Sequence, residues 1–256
     1  MFPFAAVALV LGTQAGTRLS SPILGSQPAA APAGDRDVAE ITNYEQRRVL
    51  SGYVMTDSNI ETAVAAWLAD ASAAETTYGH ISTWETGGVT DMNGLFENAA
   101  SFNEDISAWD TSSVTDMFRM FRSASAFNQG IGGWDVSGVK TMQQMFEDAY
   151  AFNGDIGNWA VQSVTDMEWM FKNAWAFNQD IGDWAVTSVT DMHSMFAKAK
   201  VFNQDISGWA TNSVTQMSRM FWDNGAFNQD IGGWAVDSVT ATSEICLLYT
   251  SPSPRD

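Results

Sequence analysis

The chain has few of the groups on which catalysis usually depends. Its 256 residues include one Cys, Cys246, and two His, His80 and His193. One thiol cannot form an internal disulfide or a Cys-based metal site. The sequence also has no phosphate-binding loop, metal-ligand pair or nucleophile elbow. These absences predict that the protein is not an enzyme and carries no cofactor, with Ca²⁺ as the one exception considered below.

Positive charge is scarce as well. Lys and Arg number 12 against 30 Asp and Glu, which gives a net charge of −18 at pH 7. Binding to nucleic acid or to an anionic membrane surface needs a basic face, so the composition argues against both. The acidity is compatible with divalent cations or basic partners, although solubility alone is a sufficient reason for it.

No hydrophobic run is long enough to span a bilayer. The apolar stretch 1–12 has the length of a signal-peptide core, and small residues follow it at Thr13 to Gly16. No Lys or Arg precedes this stretch, so only the amino terminus supplies positive charge. We predict a signal peptide over 1–16 and a linker or disordered segment over 17–43. The expected location is secreted or cell-surface, and a disordered or misassembled N-terminus is the alternative.

What the chain does contain is a repeat of 25 residues. Columns of Val, Met and Phe keep this spacing, as do the tryptophans and isoleucines. The tryptophans are Trp84, Trp109, Trp134, Trp159, Trp184, Trp209 and Trp234. The isoleucines are Ile81, Ile106, Ile131, Ile156, Ile181, Ile206 and Ile231. A fixed period in this range predicts stacked repeats that bury their apolar columns against one another.

Each repeat predicts one short helix and one short strand. Val114, Met117, Met120, Phe121 and Ala124 are spaced as one face of a helix, with hydroxyls and an acid before it as capping groups. The segment 127–131 is too short for a helix and reads as a strand around its Ile. A propeller blade needs about 40 residues and a parallel β-helix has shorter coils. We therefore expect an α/β repeat solenoid, a right-handed leucine-rich-repeat-like stack.

Two of the repeats show a family resemblance. FNQDIGDWAVTSVTDMHSMFAKA (Phe177 to Ala199) and FNQDISGWATNSVTQMSRMFWDN (Phe202 to Asn224) resemble the BspA-like surface-protein repeat. This family has repeats of 25 and 26 residues in bacterial surface lipoproteins, with relatives in protists and algae. The resemblance covers Ile81 to Thr240 and implies a surface or secreted protein, mostly with roles in adhesion or binding. No Cys follows the apolar N-terminal stretch, so the family's usual lipid anchor is not matched.

The two ends of the array differ. Over 44–79 we predict a helical cap, because Asp57, Ser58 and Asn59 precede an apolar stripe that runs from Ile60 to Leu68. The array of about seven turns is expected over 80–240. The tail 241–256 fits no repeat and resembles a translated sequencing-library adapter. If the tail is an artefact, the natural protein continues differently from this point.

An acidic column precedes the isoleucines. It consists of Asp105, Asp155, Asp180, Asp205 and Asp230, with Gly130 interrupting it. Stacking would bring these carboxylates within about 5 Å of one another. A row of Ca²⁺ sites is one interpretation. The other, which we favour because the residue recurs in five turns, is that each Asp accepts hydrogen bonds from local backbone amides or faces the Asn column.

Three further columns have both structural and functional interpretations. The Trp column fits a core better than a sugar-binding platform. The Asn column, from Asn103 to Asn228, fits a buried ladder that satisfies turn amides. The Thr column is reminiscent of ice-binding solenoids, but Lys140 interrupts it and helix capping explains it without ice.

Specificity is expected where the repeats differ. The two histidines lie more than four turns apart, about 20 Å at the spacing of stacked strands, so they cannot act together. Large aromatics replace small or polar residues at four irregular positions, which are Tyr150, Trp169, Trp175 and Trp222. Such side chains often mark contact surfaces.

The sequence thus favours a non-enzymatic scaffold that binds a protein or glycan partner, with adhesion as one role. The alternatives are a calcium-dependent structural protein of a cell covering and an ice-binding protein.

Overall fold

The computed structural model describes residues 52–240. The predicted signal peptide (1–16), the linker (17–43), the first residues of the predicted cap and the tail (241–256) lie outside the described residues. Among 52–240, no helix is long and apolar enough to cross a membrane.

All regular helices and strands of the described region lie at its N-terminal end, before residue 89. They are β1 (Val54–Thr56), α1 (Ile60–Ala69), α2 (Ala71–Tyr78), a 3₁₀ turn (Ile81–Thr83) and β2 (Glu85–Gly88). The two strands are parallel, with Val54 opposite Glu85 and Thr56 opposite Gly88.

Helix α1 packs its predicted apolar face into the core. Ile60, Ala63, Val64 and Trp67 are buried, whereas Leu68 is 43% exposed although it belongs to the predicted stripe. The Trp67 ring lies edge-on to the rings of His80 and Trp84, which begin the array.

Asp57 joins this N-terminal segment to the array. In each later repeat, the backbone N–H at the Thr position donates to the carbonyl one repeat earlier, as Thr115 does to Thr90 at 2.9 Å. Thr90 has no earlier repeat, and its N–H donates to Asp57 Oδ1 at 2.7 Å. The Thr90 hydroxyl donates to Asp57 Oδ2, also at 2.7 Å, and these bonds lower the pKa of Asp57. Asp57 therefore satisfies the donors at the open end of the repeats.

Successive repeats are joined in register by parallel contacts between residues 25 apart. Isolated parallel bridges connect Asp91, Asp116, Thr141, Asp166, Asp191 and Gln216 in sequence. The backbone bonds follow the same register, for example Met92 N–H to Asp116 O at 3.0 Å and Met117 N–H to Thr141 O at 3.2 Å. Each repeat thus hydrogen-bonds to the equivalent residues of the next.

The helix predicted in each repeat is not formed. The segment 118–123 is a series of turns, with Arg119 and Ser123 at positive φ values of 54° and 58°. Alternate N–H groups from Met117 to Ser123 donate to the following repeat instead of to their own turn. The predicted strand over 127–131 is also absent, and the parallel bridge of this repeat forms at Asp116. An apolar stripe spaced for a helix is compatible with this arrangement, in which the backbone hydrogen-bond partners lie 24 residues away.

Aromatic rings stack continuously through the core. Within one repeat Phe146 lies 3.9 Å from Phe152, and between repeats Phe146 lies 5.6 Å from both Phe121 and Phe171, with near-parallel planes. The predicted row of isoleucines is buried from Ile81 to Ile206 and partly buried at Ile231. Packing between repeats is therefore the main source of apolar burial in the array.

Candidate functional site

The Trp column belongs to the core, as the sequence predicts. From Trp84 to Trp234 the side chains are only 3–8% exposed. Each indole from Trp109 onward donates to a carbonyl of the preceding repeat, as Trp159 Nε1 does to Ile131 O at 3.1 Å. Because the rings are enclosed and their N–H groups are used, this column offers no platform for a sugar.

The Asn column forms the predicted ladder. Each Asn Oδ1 accepts the backbone N–H of the next Asn, as Asn153 does from Asn178 at 2.9 Å. The side chains are exposed or partly buried, and not fully buried as the sequence suggested. Their role is to carry the backbone hydrogen-bond register from one repeat to the next.

The Thr column also bonds between repeats. Thr190 Oγ1 donates to Thr165 O at 3.1 Å and Thr215 Oγ1 donates to Thr190 O at 3.1 Å. The predicted capping role is wrong in detail, because the repeats contain no helix for these residues to cap.

Each Asp of the acidic column closes a tight local turn. Asp105 Oδ1 accepts the N–H of Ser107 at 2.9 Å, and Asp155, Asp180, Asp205 and Asp230 make the same contact two residues on. Bonds from the Ser107 and Ser207 side chains and amides lower the pKa of Asp105 and Asp205. Within 52–240, no three His, Cys, Asp or Glu residues are grouped so that they could hold a metal ion. The hydrogen bond within each turn accounts for the Asp column without a metal ion, which is the interpretation that we favoured from the sequence.

A calcium titration tests this interpretation. We expect millimolar Ca²⁺ to leave the melting temperature of the chain unchanged, because the carboxylates already accept amide bonds and do not converge. Calorimetry and thermal melting with Mg²⁺ as the control would check it. A series of saturable sites with a rise in melting temperature would instead show that the column binds calcium.

The residues that differ between repeats form one continuous surface. We define the variable surface as the side chains not buried in the core within six equivalent segments, which are 93–100, 118–125, 143–150, 168–175, 193–200 and 218–225. Side chains 25 residues apart contact one another across it. Examples are Arg119 with Gln144, Gln143 with Glu168, and His193 with Ser218.

Charge is distributed unevenly between this surface and the rest of the array. All Lys and Arg of residues 52–240 except Lys140 lie on the variable surface, namely Arg119, Arg122, Lys172, Lys198, Lys200 and Arg219. The acidic residues there are Glu97, Glu147, Asp148, Glu168 and Asp223. The other carboxylates of residues 52–240 lie elsewhere. The variable surface is therefore close to neutral on a strongly acidic molecule.

An ion-pair network fixes the centre of this surface. The Glu147 side chain is 4% exposed, and its two oxygens accept from Arg122 Nε at 2.9 Å and from Lys172 Nζ at 2.8 Å. Arg122 also donates to Glu97 at 2.8 Å, and the two carboxylates raise the pKa of Arg122. These contacts hold long side chains in fixed positions across four repeats.

Two of the four predicted aromatics form an exposed pair. Tyr150 and Trp175 are 38% and 48% exposed, and their rings stack with centroids 4.3 Å apart. They are the large exposed aromatic side chains of the described region.

Trp169 and Trp222 lie apart from that pair. Lys172 Nζ lies 4.0 Å from the centre of the Trp169 ring, and Lys198 Nζ lies 4.8 Å from that of Trp222. Trp169 has a positive φ of 58°, and its Nε1 is buried with no hydrogen-bond partner among the described residues. Both rings are partly covered, so they are weaker candidates for contact with a partner.

The histidine on this surface contacts two serines. His193 Nδ1 lies 3.1 Å from Ser218 Oγ, and its Nε2 lies 3.3 Å from Ser194 Oγ. His80 bonds to Ser82 and packs on Trp67 in the N-terminal segment. The two histidines are therefore in separate environments, as expected.

The raised pKa of Asp166, which lies beside the variable surface, predicts a pH-dependent effect of this residue on stability. Burial raises the pKa of Asp166, the Glu168 amide lowers it, and the charges of Asp191 and Glu168 raise it further. A raised folded-state pKa means that Asp166 favours folding below its unfolded pKa and loses that contribution as the pH rises through the folded value. Asp166→Asn should therefore raise the melting temperature at pH 7, on the order of 1–3 °C, and have little effect near pH 3.

Asp205→Asn is the matched control for that measurement. Hydrogen bonds from Ser207 lower the pKa of Asp205, so its contribution is present above the unfolded pKa and is lost as the pH falls. This variant should melt at a lower temperature than the parent at pH 7. Melting curves would be measured at pH 3, 5 and 7. A shift of both variants in the same direction would contradict the opposite pKa shifts of Asp166 and Asp205.

Sequence reasoning located Tyr150 and Trp175 but missed the polar residues beside them. Asp148, Asn173 and Lys198 precede Tyr150, Trp175 and Lys200 by two residues, with a buried Ala between the members of each pair. The signal was present in the sequence as a second variable column two positions earlier. The concentration of Lys and Arg in the variable segments was equally visible.

Comparison with known proteins identifies the family. Residues 64–181 and, overlapping them, 151–251 match the family described as "Mycoplasma protein of unknown function, DUF285". No curated protein and no solved structure matches the chain. The two matched segments together cover more than half of the 256 residues, so the chain belongs to the DUF285 family.

Proposed function

We propose that this protein is a non-enzymatic scaffold, secreted or on the cell surface, whose variable surface binds a protein or glycan partner. Adhesion is the role that such a scaffold would serve. The observation that carries the proposal is the stacked, exposed Tyr150–Trp175 pair, which lies among variable residues on an otherwise regular array.

The division between repeated and varied positions supports this proposal. The repeated Trp, Asn, Thr and Asp columns all have hydrogen-bonding roles within the array, such as Trp184 Nε1 to Ile156 O at 3.1 Å. The varied positions do not repeat these roles, and they hold the exposed aromatics and almost all of the basic side chains. A surface that varies on a constant framework is suited to selective binding.

We further propose that the array is a right-handed, leucine-rich-repeat-like solenoid of the BspA-like surface-protein class. Parallel bridges between residues 25 apart and continuous aromatic stacks support a solenoid. The resemblance of residues 177–224 to BspA-like repeats supports the class and the surface location.

Two other functions remain as outcomes of testing. A calcium-dependent structural protein would need the Asp column as ligands, and an ice-binding protein would need the Thr column. The Thr hydroxyls donate to carbonyls of the preceding repeat, as Thr190 Oγ1 does to Thr165 O at 3.1 Å. An assay of thermal hysteresis would detect ice binding directly.

A binding screen with surface variants tests the proposed function. The full chain would be screened against glycans and candidate surface proteins, and each hit measured again with Tyr150→Ala and Trp175→Ala. We expect affinity to fall ten-fold or more, because burying such a side chain contributes about 1.5–3 kcal/mol. The melting temperature should change little.

The matched control is Leu68→Ala, which truncates a 43% exposed apolar side chain outside the variable surface. It should leave affinity unchanged. A fallen melting temperature with unchanged affinity in Tyr150→Ala and Trp175→Ala would assign the pair to packing. Equal losses of affinity in all three variants would place the binding surface elsewhere.

A further inference from the structure

The exposed aromatic pair is part of a larger two-column array. In three consecutive repeats a buried alanine (Ala149, Ala174 and Ala199, each 0% exposed) separates two residues that are not buried. We call these six residues the aromatic–lysine array: Asp148, Asn173 and Lys198 in one column, and Tyr150, Trp175 and Lys200 in the other.

The polar column is fixed beside the aromatic one. Asn173 Nδ2 donates to Asp148 Oδ1 at 2.6 Å, so an amide and a carboxylate lie side by side in the same two repeats as the stacked rings. The remaining oxygens of both groups are able to accept hydrogen bonds, and the amide supplies a second donor hydrogen. Planar hydrogen-bonding groups next to an exposed ring are suited to hydroxyl groups of a sugar.

Trp175 keeps about half of its surface exposed beside the repeat that carries the lysines. One face of its ring is covered by Tyr150 from the preceding repeat, and yet the residue remains 48% exposed. Since the rings stack from repeat to repeat, the second face is turned toward the repeat that carries Lys198 and Lys200. A flat ring that packs on this face would lie beside the Lys198 and Lys200 side chains, whose ammonium groups contact Trp222 and Asp223 of the following repeat.

The lysine at the end of the array is held by a replaceable partner. Lys200 Nζ lies 2.9 Å from Asp223 Oδ2, and the two side chains are 46% and 54% exposed. Exposed ion pairs of this kind contribute little, about 0–1 kcal/mol, so an incoming anion can take the place of Asp223. At physiological salt the acidic columns elsewhere on the protein are screened over about 8 Å, so their charge does not exclude an anion from this site.

We propose that the aromatic–lysine array binds an anionic glycan, with a pyranose ring on Trp175 and a carboxylate or sulfate group on Lys198 and Lys200. This inference rests on the proposed binding function and gives it a ligand class. The array favours a polysaccharide over a protein, because it presents one aromatic platform, hydrogen-bonding groups and two lysines in two columns across three consecutive repeats. A protein interface typically buries about 800 Å² on each partner around a cluster of apolar anchors.

Oligosaccharides of matched length test the proposal with the full chain. The probes are a hexamer of galacturonic acid, a sulfated dextran oligomer and an uncharged dextran oligomer, measured by calorimetry at physiological salt. Either or both anionic probes should bind, and the comparison of the two distinguishes carboxylate from sulfate. The uncharged oligomer should bind at least about ten-fold more weakly. Equal binding of all three would overturn the anionic part, and no binding of either acidic probe would overturn the whole inference.

Three variants tie binding to the array. Trp175→Ala should weaken binding of the anionic probe about ten-fold or more, and Lys198→Gln with Lys200→Gln should remove most of its preference over the uncharged oligomer. Asp223→Asn should strengthen binding several-fold, because it removes the competing carboxylate while Asn tolerates the positive φ of 54° at this position. A loss of affinity in Asp223→Asn, with an unchanged melting temperature, would contradict the proposal.

The outcomes separate this inference from the proposed function. If a protein partner from the screen binds through Tyr150 and Trp175 while the anionic oligosaccharides do not, the proposed function stands and the ligand class is wrong. If neither a protein nor a glycan depends on these two residues, both fail.

Discussion

Phe146→Ala is expected to lower the stability of the protein by about 3–5 kcal/mol. Phe146 is fully buried in the middle of the array, and its ring contacts Phe121, Phe152, Phe171 and Trp159. Truncation leaves a cavity that breaks the ring stack between consecutive repeats. The melting temperature should fall by roughly 10 °C, measured by circular dichroism.

Phe118→Ala is the matched control for that substitution. Phe118 is partly buried on the variable surface, and its ring contacts the Arg119 guanidinium, whose Cζ lies 4.4 Å from the ring centroid. Its truncation should cost about 1 kcal/mol or less, because it lies outside the stack. Similar losses for the two variants would mean that the stack is not the main source of stability. In a repeat array, partial unfolding on one side of the cavity should also broaden the Phe146→Ala transition.

Glu147→Gln is expected to cost about 2–3 kcal/mol. The change keeps the shape of the side chain but removes the charge that Arg122 and Lys172 share, and Glu147 is 4% exposed. Breaking a buried pair from one side costs up to about 3–5 kcal/mol, and the partial exposure of the two cations reduces this figure. Urea denaturation of the full chain measures the change.

Glu97→Gln provides the comparison, because Glu97 pairs with Arg122 alone and its side chain is 27% exposed. Its loss should be below about 1 kcal/mol. If Glu147→Gln and Glu97→Gln destabilise the protein equally, burial is not what makes the Glu147 network strong.

Much of the framework could be predicted from the sequence because the same contact recurs at a fixed spacing. A Trp or Asn in every repeat must occupy equivalent surroundings, and the structure confirms the buried Trp column and the Asn ladder. The local role of the Asp column was predicted for the same reason, and its amide contacts two residues on confirm it.

The conformation of each repeat could not be predicted in the same way. The apolar spacing from Val114 to Ala124 is compatible with a helix, and only the partners of the backbone N–H groups, one repeat away, distinguish a helix from the observed turns. The positions with positive φ could not be recognised from the sequence either. One of them holds Gly94 in the first repeat but Arg119, Gln144 and Trp169 in the next three. Inter-repeat bonds stabilise this backbone in the absence of glycine.

The candidate site was predicted in part. Variation between repeats drew attention to Tyr150 and Trp175, and the structure places these two rings in contact. The same argument grouped Trp169 with them, although its ring contacts are with Lys172 and His193. The sequence shows to which column a side chain belongs. It does not show which neighbouring side chain covers it.

Hydrogen exchange on the full chain with and without its bound partner is the most direct test of where this protein binds. The account predicts slowed exchange in the variable segments 143–150, 168–175 and 193–200, with unchanged exchange around the Thr column and the Asp column. Protection confined to the Thr column or to the Asp column would contradict it.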